Sequence, residues 1–479
     1  MPHLHPEPSE TIVAAAFALR AGRLTARQLT SECLAKIDAC EPQINAWVEV
    51  DRSGALDRAA ELDRDFAAGR WHGPLHGIPL GIKDIIDVAG FATAAGSAPR
   101  AGQIAARDAF LVARLRAAGA IILGKTVTTQ FAGFDPPPTR NPWNLNRTPG
   151  GSSSGSAAAV AAGMCLGAIG SQTGGSIIRP ASFCGIAGCK PTFGRVSLAG
   201  VLPLAKHLDH AGPIARCVAD LALLLDVIAG PDAQDRLCLT APPPSVWAAL
   251  QGNQGAAPRI GTLAGMFIER AESVSRLKFE AALRLFAASG ATIRAATLPR
   301  EFDDVIPRHR NVMAAEAAAQ HRSHYAVARE EYRPHIRALI EEGLALSAAE
   351  YVRCRDHQAQ LSVEIDGSFH GCDVLACPAT LGPAPDHSST GDPAFNSPWS
   401  YTGVPVVTIP LGLAVESAAP HTPHDRPVES PFATGDALPL GLQLVARRGD
   451  EVRLFRAAAW CERVLSPRMT PASGNGAAF

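Results

Sequence analysis

Short apolar runs alternate with amphipathic segments along this chain of 479 residues, and that alternation limits the folds it can adopt. Behind Thr25, a residue type that caps helices, Ala26 to Ile37 repeats apolar side chains at helical spacing. Pro79-Leu-Gly-Ile82 reads as an apolar strand that ends at Lys83. Asp108 to Ala118 places Phe110, Leu111, Leu115 and Ala118 on one helical face, and Ala120 to Lys125 reads as a buried strand. The stretch from about 269 to 370 is mainly helical, over 274–289, 305–324 and 348–367. Strands return at Val374–Cys377, Val406–Leu411 and Leu440–Val445. Such a pattern predicts an α/β fold, a sheet with helices on both faces.

The segment Gly119-Ala-Ile-Ile-Leu-Gly-Lys-Thr126 fits the nucleotide-binding P-loop pattern at every position. Its context does not fit. A P-loop follows a strand and opens a helix, whereas here a helix precedes Gly119 and Asp135-Pro-Pro-Pro138 blocks a long helix afterwards. Ala120 to Leu123 are apolar and partly β-branched, suited to a strand and poor at exposing backbone to phosphates. The expectation is helix, tight glycine turn, strand, with no ATP site.

Composition removes several classes of function. A formal net charge of −1 gives no electrostatic reason to expect nucleic acid or an anionic membrane as a partner. No apolar run approaches the length of a membrane span, and MPHLHPEPSETIV lacks the basic start and apolar stretch of a secretory signal. These features predict a soluble, cytoplasmic protein. Of the eleven cysteines, Cys184 with Cys189 and Cys372 with Cys377 share a C-x4-C spacing. Zinc sites use tighter pairs with neighbouring histidines, so small core residues are expected and no metal or cofactor. Glu416 to Asp436, rich in Pro, His, Ser and Thr, reads as a surface insertion.

The chemistry concentrates between Gly150 and Gly200, where composition shifts toward Gly, Ser and Ala. Gly150-Gly-Ser-Ser-Ser-Gly-Ser156 and Gly170-Ser-Gln-Thr-Gly-Gly-Ser176 flank a small-residue helix. They read either as two flexible turns or as loops whose backbone can approach a ligand closely. The N–H groups of Thr173, Gly174, Gly175 and Ser176, beside a hydroxyl, are what acyl transfer needs: a nucleophile next to donors for the developing oxyanion. A serine nucleophile needs a base. His207 and His210 are available, but nothing in their spacing singles them out. Lysine is rare here (Lys36, Lys83, Lys125, Lys190, Lys206 and Lys278), and Lys83 ends an apolar strand. Serving as a base near neutral pH requires lowering its pKa from ~10.4 by about three, on the order of 4 kcal/mol, which burial can supply. Read locally, Lys83 is equally an exposed charge at a strand end.

Three stretches together resemble the amidase signature family. They are Gly77-Ile-Pro-Leu-Gly-Ile-Lys-Asp84, Gly150-Gly-Ser-Ser-Ser-Gly-Ser-Ala157, and Gly174-Gly-Ser-Ile-Ile-Arg-Pro-Ala181 running on through Phe183-Cys-Gly185 and Lys190-Pro-Thr192. The likeness extends through Leu208–Pro213 to Leu440–Leu444. It implies a single α/β domain over about 9–467, built on a large mixed β-sheet covered by helices on both faces, within which composition marks a flexible surface insertion at 414–436. It implies a Ser–cis-Ser–Lys triad, with Ser176 as nucleophile, Ser152 as bridging serine after a cis Gly151–Ser152 bond, and Lys83 as base. Ser153 and Arg179 are supporting residues. Two departures stand out: Gln172 occupies a position that is often Asp, and Arg179 lies three residues after the nucleophile, where the family often has Arg two residues after it.

The implied activity is hydrolysis of a linear amide C–N bond through an acyl-enzyme, releasing ammonia or an amine from a small-molecule substrate. The pocket is expected to be lined by Gly133–Pro149 and by Tyr401 and its neighbours. The glutaminase subunit of a tRNA-dependent amidotransferase is the alternative within the family, although its typical segment is not recognised near Arg337 to Tyr351. A non-catalytic binding protein on the same scaffold is the alternative outside it, and the intact Lys83, Ser152 and Ser176 argue against that. Neither the amide nor the oligomeric state is legible, though homodimers are common in the family.

Overall fold

The computed structural model describes residues 11–252, 256–415 and 437–465. The Glu416–Asp436 segment therefore lies outside the described residues. Eleven strands form one mixed sheet: β1 (Trp47–Val50), β2 (Pro79–Lys83), β3 (Ile121–Thr126), β4 (Gly167–Gln172), β5 (Ala187–Lys190), β6 (His210–Ala215), β7 (Arg259–Thr262), β8 (Thr292–Ala295), β9 (Val374–Pro378), β10 (Val406–Val415) and β11 (Ala437–Val445). Their order across the sheet is β1-β3-β2-β4-β6-β5-β10-β11-β9-β7-β8. Helices cover both faces, so β2, β3 and β4 are buried along their whole length, and none shows the inside–outside alternation of a half-exposed strand.

Local chemistry explains the elements that position the site. Thr25 closes a capping box with Gln28 at the start of the helix Ala26–Ile44, its hydroxyl accepting from the Gln28 N–H at 3.1 Å. Gly119 ends the helix Phe110–Ala117 with φ of +89°, a conformation in which a Cβ is strained, and β3 follows at once. The supposed P-loop is thus a helix stop and a strand, as its side chains predict. Its Lys125 is wholly buried and pairs with Asp84 at 2.9 Å while donating to the Ala92 carbonyl at 2.7 Å. An amine held in this way contributes to the core and is not available to a phosphate.

Chain topology brings distant segments to one end of the sheet. β2 runs parallel to both β3 and β4, with Leu80 opposite Gly167 and Ile82 opposite Ile169. Lys83, last in β2, therefore sits beside the end of β4, from which the 173–176 loop departs. The helix Ser154–Ala161, whose residues are almost all buried, feeds into β4 and places Ser152 and Ser153 at the same end. Ligands of open α/β sheets gather at such carboxyl-terminal strand ends.

The region read as mainly helical holds Ser273–Ala288, Val305–Tyr325 and Ala348–Glu364, and also a further helix, Pro334–Ala345. It also contains β8, where only Ile293 is even partly buried. An edge strand of four residues with one large apolar side chain leaves no periodic signal, and its parallel pairing with β7 is a tertiary effect.

Replacing Lys125 with Met removes one partner of a buried ion pair and leaves Asp84 without its cation. We expect a loss of about 3–5 kcal/mol in urea-unfolding free energy. Calorimetry should show no ATP binding to the wild-type chain; measurable binding abolished by Lys125→Met would contradict the structural role.

Candidate active site

Lys83 is the centre of the site. Its side chain is fully buried, and its Nζ lies 2.8 Å from Ser152 Oγ and 2.8 Å from Ser171 Oγ. Burial pushes its pKa well below the ordinary lysine range, against a smaller opposing pull from the Asp209 carboxylate. The exposed-charge reading of Lys83 is thereby excluded. A neutral amine has two N–H donors and one lone pair, which suits two hydroxyl neighbours with opposite roles.

The two Gly/Ser loops are joined around this amine. The Gly151–Ser152 bond is cis. The Gly151 carbonyl accepts from Arg179 Nη2 at 2.7 Å, and the Gly150 carbonyl accepts from Ser154 Oγ at 2.7 Å. Ser153 donates its N–H to the Ser176 carbonyl at 3.3 Å and its hydroxyl to the Ser171 carbonyl at 3.1 Å. Ser153 therefore links the first loop to the second. Arg179 is buried, with burial lowering its pKa to about 10.

Beyond β4 the chain is held by side chains on several elements. Thr173 Oγ1 donates to Asp209 Oδ1 at 2.5 Å, while Asp209 Oδ2 accepts the N–H groups of Leu204 and Ala205 at 2.9 and 3.0 Å. Burial raises the Asp209 pKa to about 7. The Gln172 side chain accepts the N–H groups of Ile177 and Ile178 at 3.0 and 3.1 Å, satisfying donors ahead of the short helix Ile178–Phe183. Its neutral amide also donates to Ser400 Oγ at 3.3 Å, so it both receives and gives where a carboxylate could only receive. Gly175 has no room for a side chain, because a Cβ there would lie 2.5 Å from Asn396 Oδ1. The N–H groups of Gly174, Gly175 and Ser176 form no hydrogen bond with another described residue. Accessibility falls from Ser176 (8% exposed) through Ser152 (1%) to Lys83 (0%), so the solvent-facing end of the series is Ser176.

The structure thus gathers Lys83, Ser152, Ser153, Thr173, Gly174, Gly175, Ser176 and Arg179 at one end of the sheet. Ser171 was missed by sequence reasoning. Its only signal was membership in the Gly170–Ser176 loop, and its contact with Lys83 depends on the β2–β4 register. His207 pairs with Glu316 at 2.6 Å, and His210 Nδ1 meets the carbonyls of Leu208 and Gln172, so both are held in structural bonds. Tyr401 is buried, with its hydroxyl donating to the Cys354 carbonyl at 2.6 Å. It borders a cavity of about 480 Å³ together with Phe193, Gln358 and Ser400, and that cavity includes neither Lys83 nor Ser176.

The amidase family model matches residues 28–455. A glutamyl-tRNA(Gln) amidotransferase subunit of Chloroflexus aggregans is 36% identical, over 95% of this chain and 96% of that protein. The solved peptide amidase of Stenotrophomonas maltophilia superposes with a TM-score of 0.80 at 31% identity, covering 95% of this chain and 96% of that one. A structure described as part of an unexpected vestigial complex, bearing on the origins of an s-triazine catabolic enzyme, gives a TM-score of 0.85 at 30% identity, with 96% and 98% covered.

Gln172→Ala leaves two buried N–H groups unpaired. The expected cost is about 1–3 kcal/mol per group, read as a shift of the urea midpoint at unchanged slope. A midpoint equal to wild type would show that the Gln172 side chain is not what satisfies those donors.

Proposed function

Because the chain belongs to the amidase family, whose members hydrolyse amides, we propose that it cleaves a carboxylic amide C–N bond with Ser176 as nucleophile, Ser152 as relay and Lys83 as base. The observation that carries this reading is the buried Lys83 amine 2.8 Å from the Ser152 hydroxyl. In the neutral form its lone pair accepts the Ser152 proton while one N–H donates to Ser171. Ser152 in turn accepts the Ser176 proton, and the Ser176 oxygen attacks the amide carbonyl. The negative charge that develops on the carbonyl oxygen is met by the N–H groups of Thr173 to Ser176. The relay then runs in reverse. Lys83 returns its proton through Ser152 to the leaving nitrogen, the C–N bond breaks, and ammonia or an amine departs from the acyl-enzyme. Water attacks the ester, again losing its proton to the relay, and the carboxylic acid leaves as Ser176 regains its proton. Arg179 holds the Gly151 carbonyl, and Ser153 keeps the two loops in register.

The similarity to an amidotransferase subunit favours a second reading, in which the same hydrolysis supplies ammonia to a partner. The two separate by pull-down: a stoichiometric co-purifying protein supports the second, and full turnover by the isolated chain supports the first.

Ser176→Ala and Lys83→Ala are each expected to lower the rate of ammonia release from primary amides by at least about 10⁴-fold, with melting temperatures close to wild type. Lys83→Arg should be equally inactive, because a guanidinium stays protonated and has no basic lone pair. Substantial turnover in any of the three would sink the triad.

The pH profile follows from the same chemistry. The deprotonated amine is the active form, so kcat/KM falls on the acid side as Lys83 gains a proton. The limb lies well below the ~10.4 of a free lysine, so the rate no longer rises with pH in the mildly alkaline range. A rate still climbing tenfold per pH unit from 8 to 10 would mean that Lys83 is charged at neutrality.

A further inference from the structure

Each peptide group along Gln172–Ser176 is held by its carbonyl. The Gln172 carbonyl faces His210 Nδ1 at 3.3 Å, and the Thr173 carbonyl faces His309 Nε2 at 2.9 Å. The Gly174 carbonyl accepts from Ser400 Oγ at 2.9 Å, and the Gly175 carbonyl from the Arg179 N–H at 2.9 Å. In a planar trans peptide the C=O and the N–H of the next residue point in opposite directions. Fixing each of these carbonyls therefore fixes the N–H of the next residue, in turn Thr173, Gly174, Gly175 and Ser176, pointing away from that carbonyl's partner. Two consecutive glycines have little conformational preference of their own, so this orientation must come from outside the loop.

We propose that His309 and Ser400 are positioning residues, which aim the Gly174 and Gly175 N–H groups at the oxyanion by anchoring the carbonyls of Thr173 and Gly174 from behind. This inference rests on the proposed serine chemistry. A carbonyl only accepts, so His309 must carry its proton on Nε2. Burial holds its pKa down at about 4, and the ring is neutral at physiological pH. His309 comes from the helix Val305–Tyr325 and Ser400 from the helix Ser397–Thr402. Parts of the chain over 130 residues away in sequence thus set the geometry of the loop. Ser400 also receives the Gln172 side-chain amide at 3.3 Å, which joins the two anchors of the loop into one network.

The test is the kinetics of Ser176 phosphonylation by a fluorophosphonate probe, which needs no substrate-specific pocket and develops charge on the phosphoryl oxygen. Loss of an oxyanion donor typically costs ~10²–10³-fold. Misaiming one is expected to slow the maximal inactivation rate of His309→Leu by about 30-fold, with the probe's half-saturating concentration within threefold of wild type. His309→Gln restores an N–H donor near the Nε2 position and is expected to recover to within about fivefold. Ser400→Ala, a smaller deletion, guards against a folding failure in His309→Leu and should slow the maximal rate about tenfold. A maximal rate in His309→Leu and Ser400→Ala equal to wild type would overturn the proposal, as would His309→Gln remaining as slow as His309→Leu with the same melting temperature. Absence of any labelling in the wild-type chain would overturn the proposed function, and this inference with it.

Discussion

A lysine amine without water is the constraint on which the site depends. An ammonium taken fully out of water carries a penalty of several kcal/mol unless a carboxylate pairs with it. Lys125 meets that condition through Asp84, and Lys83, on the adjacent strand β2, has two serine hydroxyls instead. Two buried lysines on adjacent strands thus follow opposite routes: one stays paired in the core and the other is driven toward the neutral amine. The difference lies in which carboxylate each can reach. Asp209 acts on Lys83 only as a weaker, more distant influence, and its own oxygens are occupied by Thr173, Leu204 and Ala205.

Sheet topology places that amine beside the two Gly/Ser loops. Lys83, Ser152 and Ser176 lie far apart in sequence, and parallel pairing of β2 with β4 brings their segments to one end. The small residues between 150 and 176 let the second loop pass close to the first, and the hydrogen bonds of Ser153 and Arg179 hold them there. The side chains behind the loop (His210, His309, Ser400) have a different task. They orient backbone rather than touch the reacting atoms, and backbone donors fixed before reaction need no reorganisation as charge develops.

Much of this was legible in the sequence where a signal is local. The stop at Gly119, the Thr25 cap and the buried strands before Lys83 and Lys125 follow from residue type and period. Lys83, Ser152 and Ser176 could be named from the resemblance, but not from spacing, because the register that unites them is a property of the sheet. Ser171, His309 and Ser400 stayed invisible for the same reason. Ser171 is marked only by its place in a Gly/Ser-rich stretch, and a histidine on a mixed helix and a serine after Trp399 carry no local mark; their roles arise only when β4 and two later helices converge. Gln172 read as a departure near the oxyanion loop, and its consequence emerged only with its partners, the Ile177 and Ile178 N–H groups and Ser400. Edge strand β8 was lost to its brevity.

The central claim is that Lys83 is an uncharged amine at neutral pH, and it can be measured directly. The chain has six lysines, few enough for 15N labelling at Nζ and assignment of the Lys83 signal by its loss in Lys83→Met. A titration followed by NMR should place that nitrogen in the neutral-amine range at pH 7, with protonation only at lower pH. A Lys83 signal that remains an ammonium at pH 7 and titrates near the ~10.4 of a free lysine would contradict the account, because the relay would then have no base.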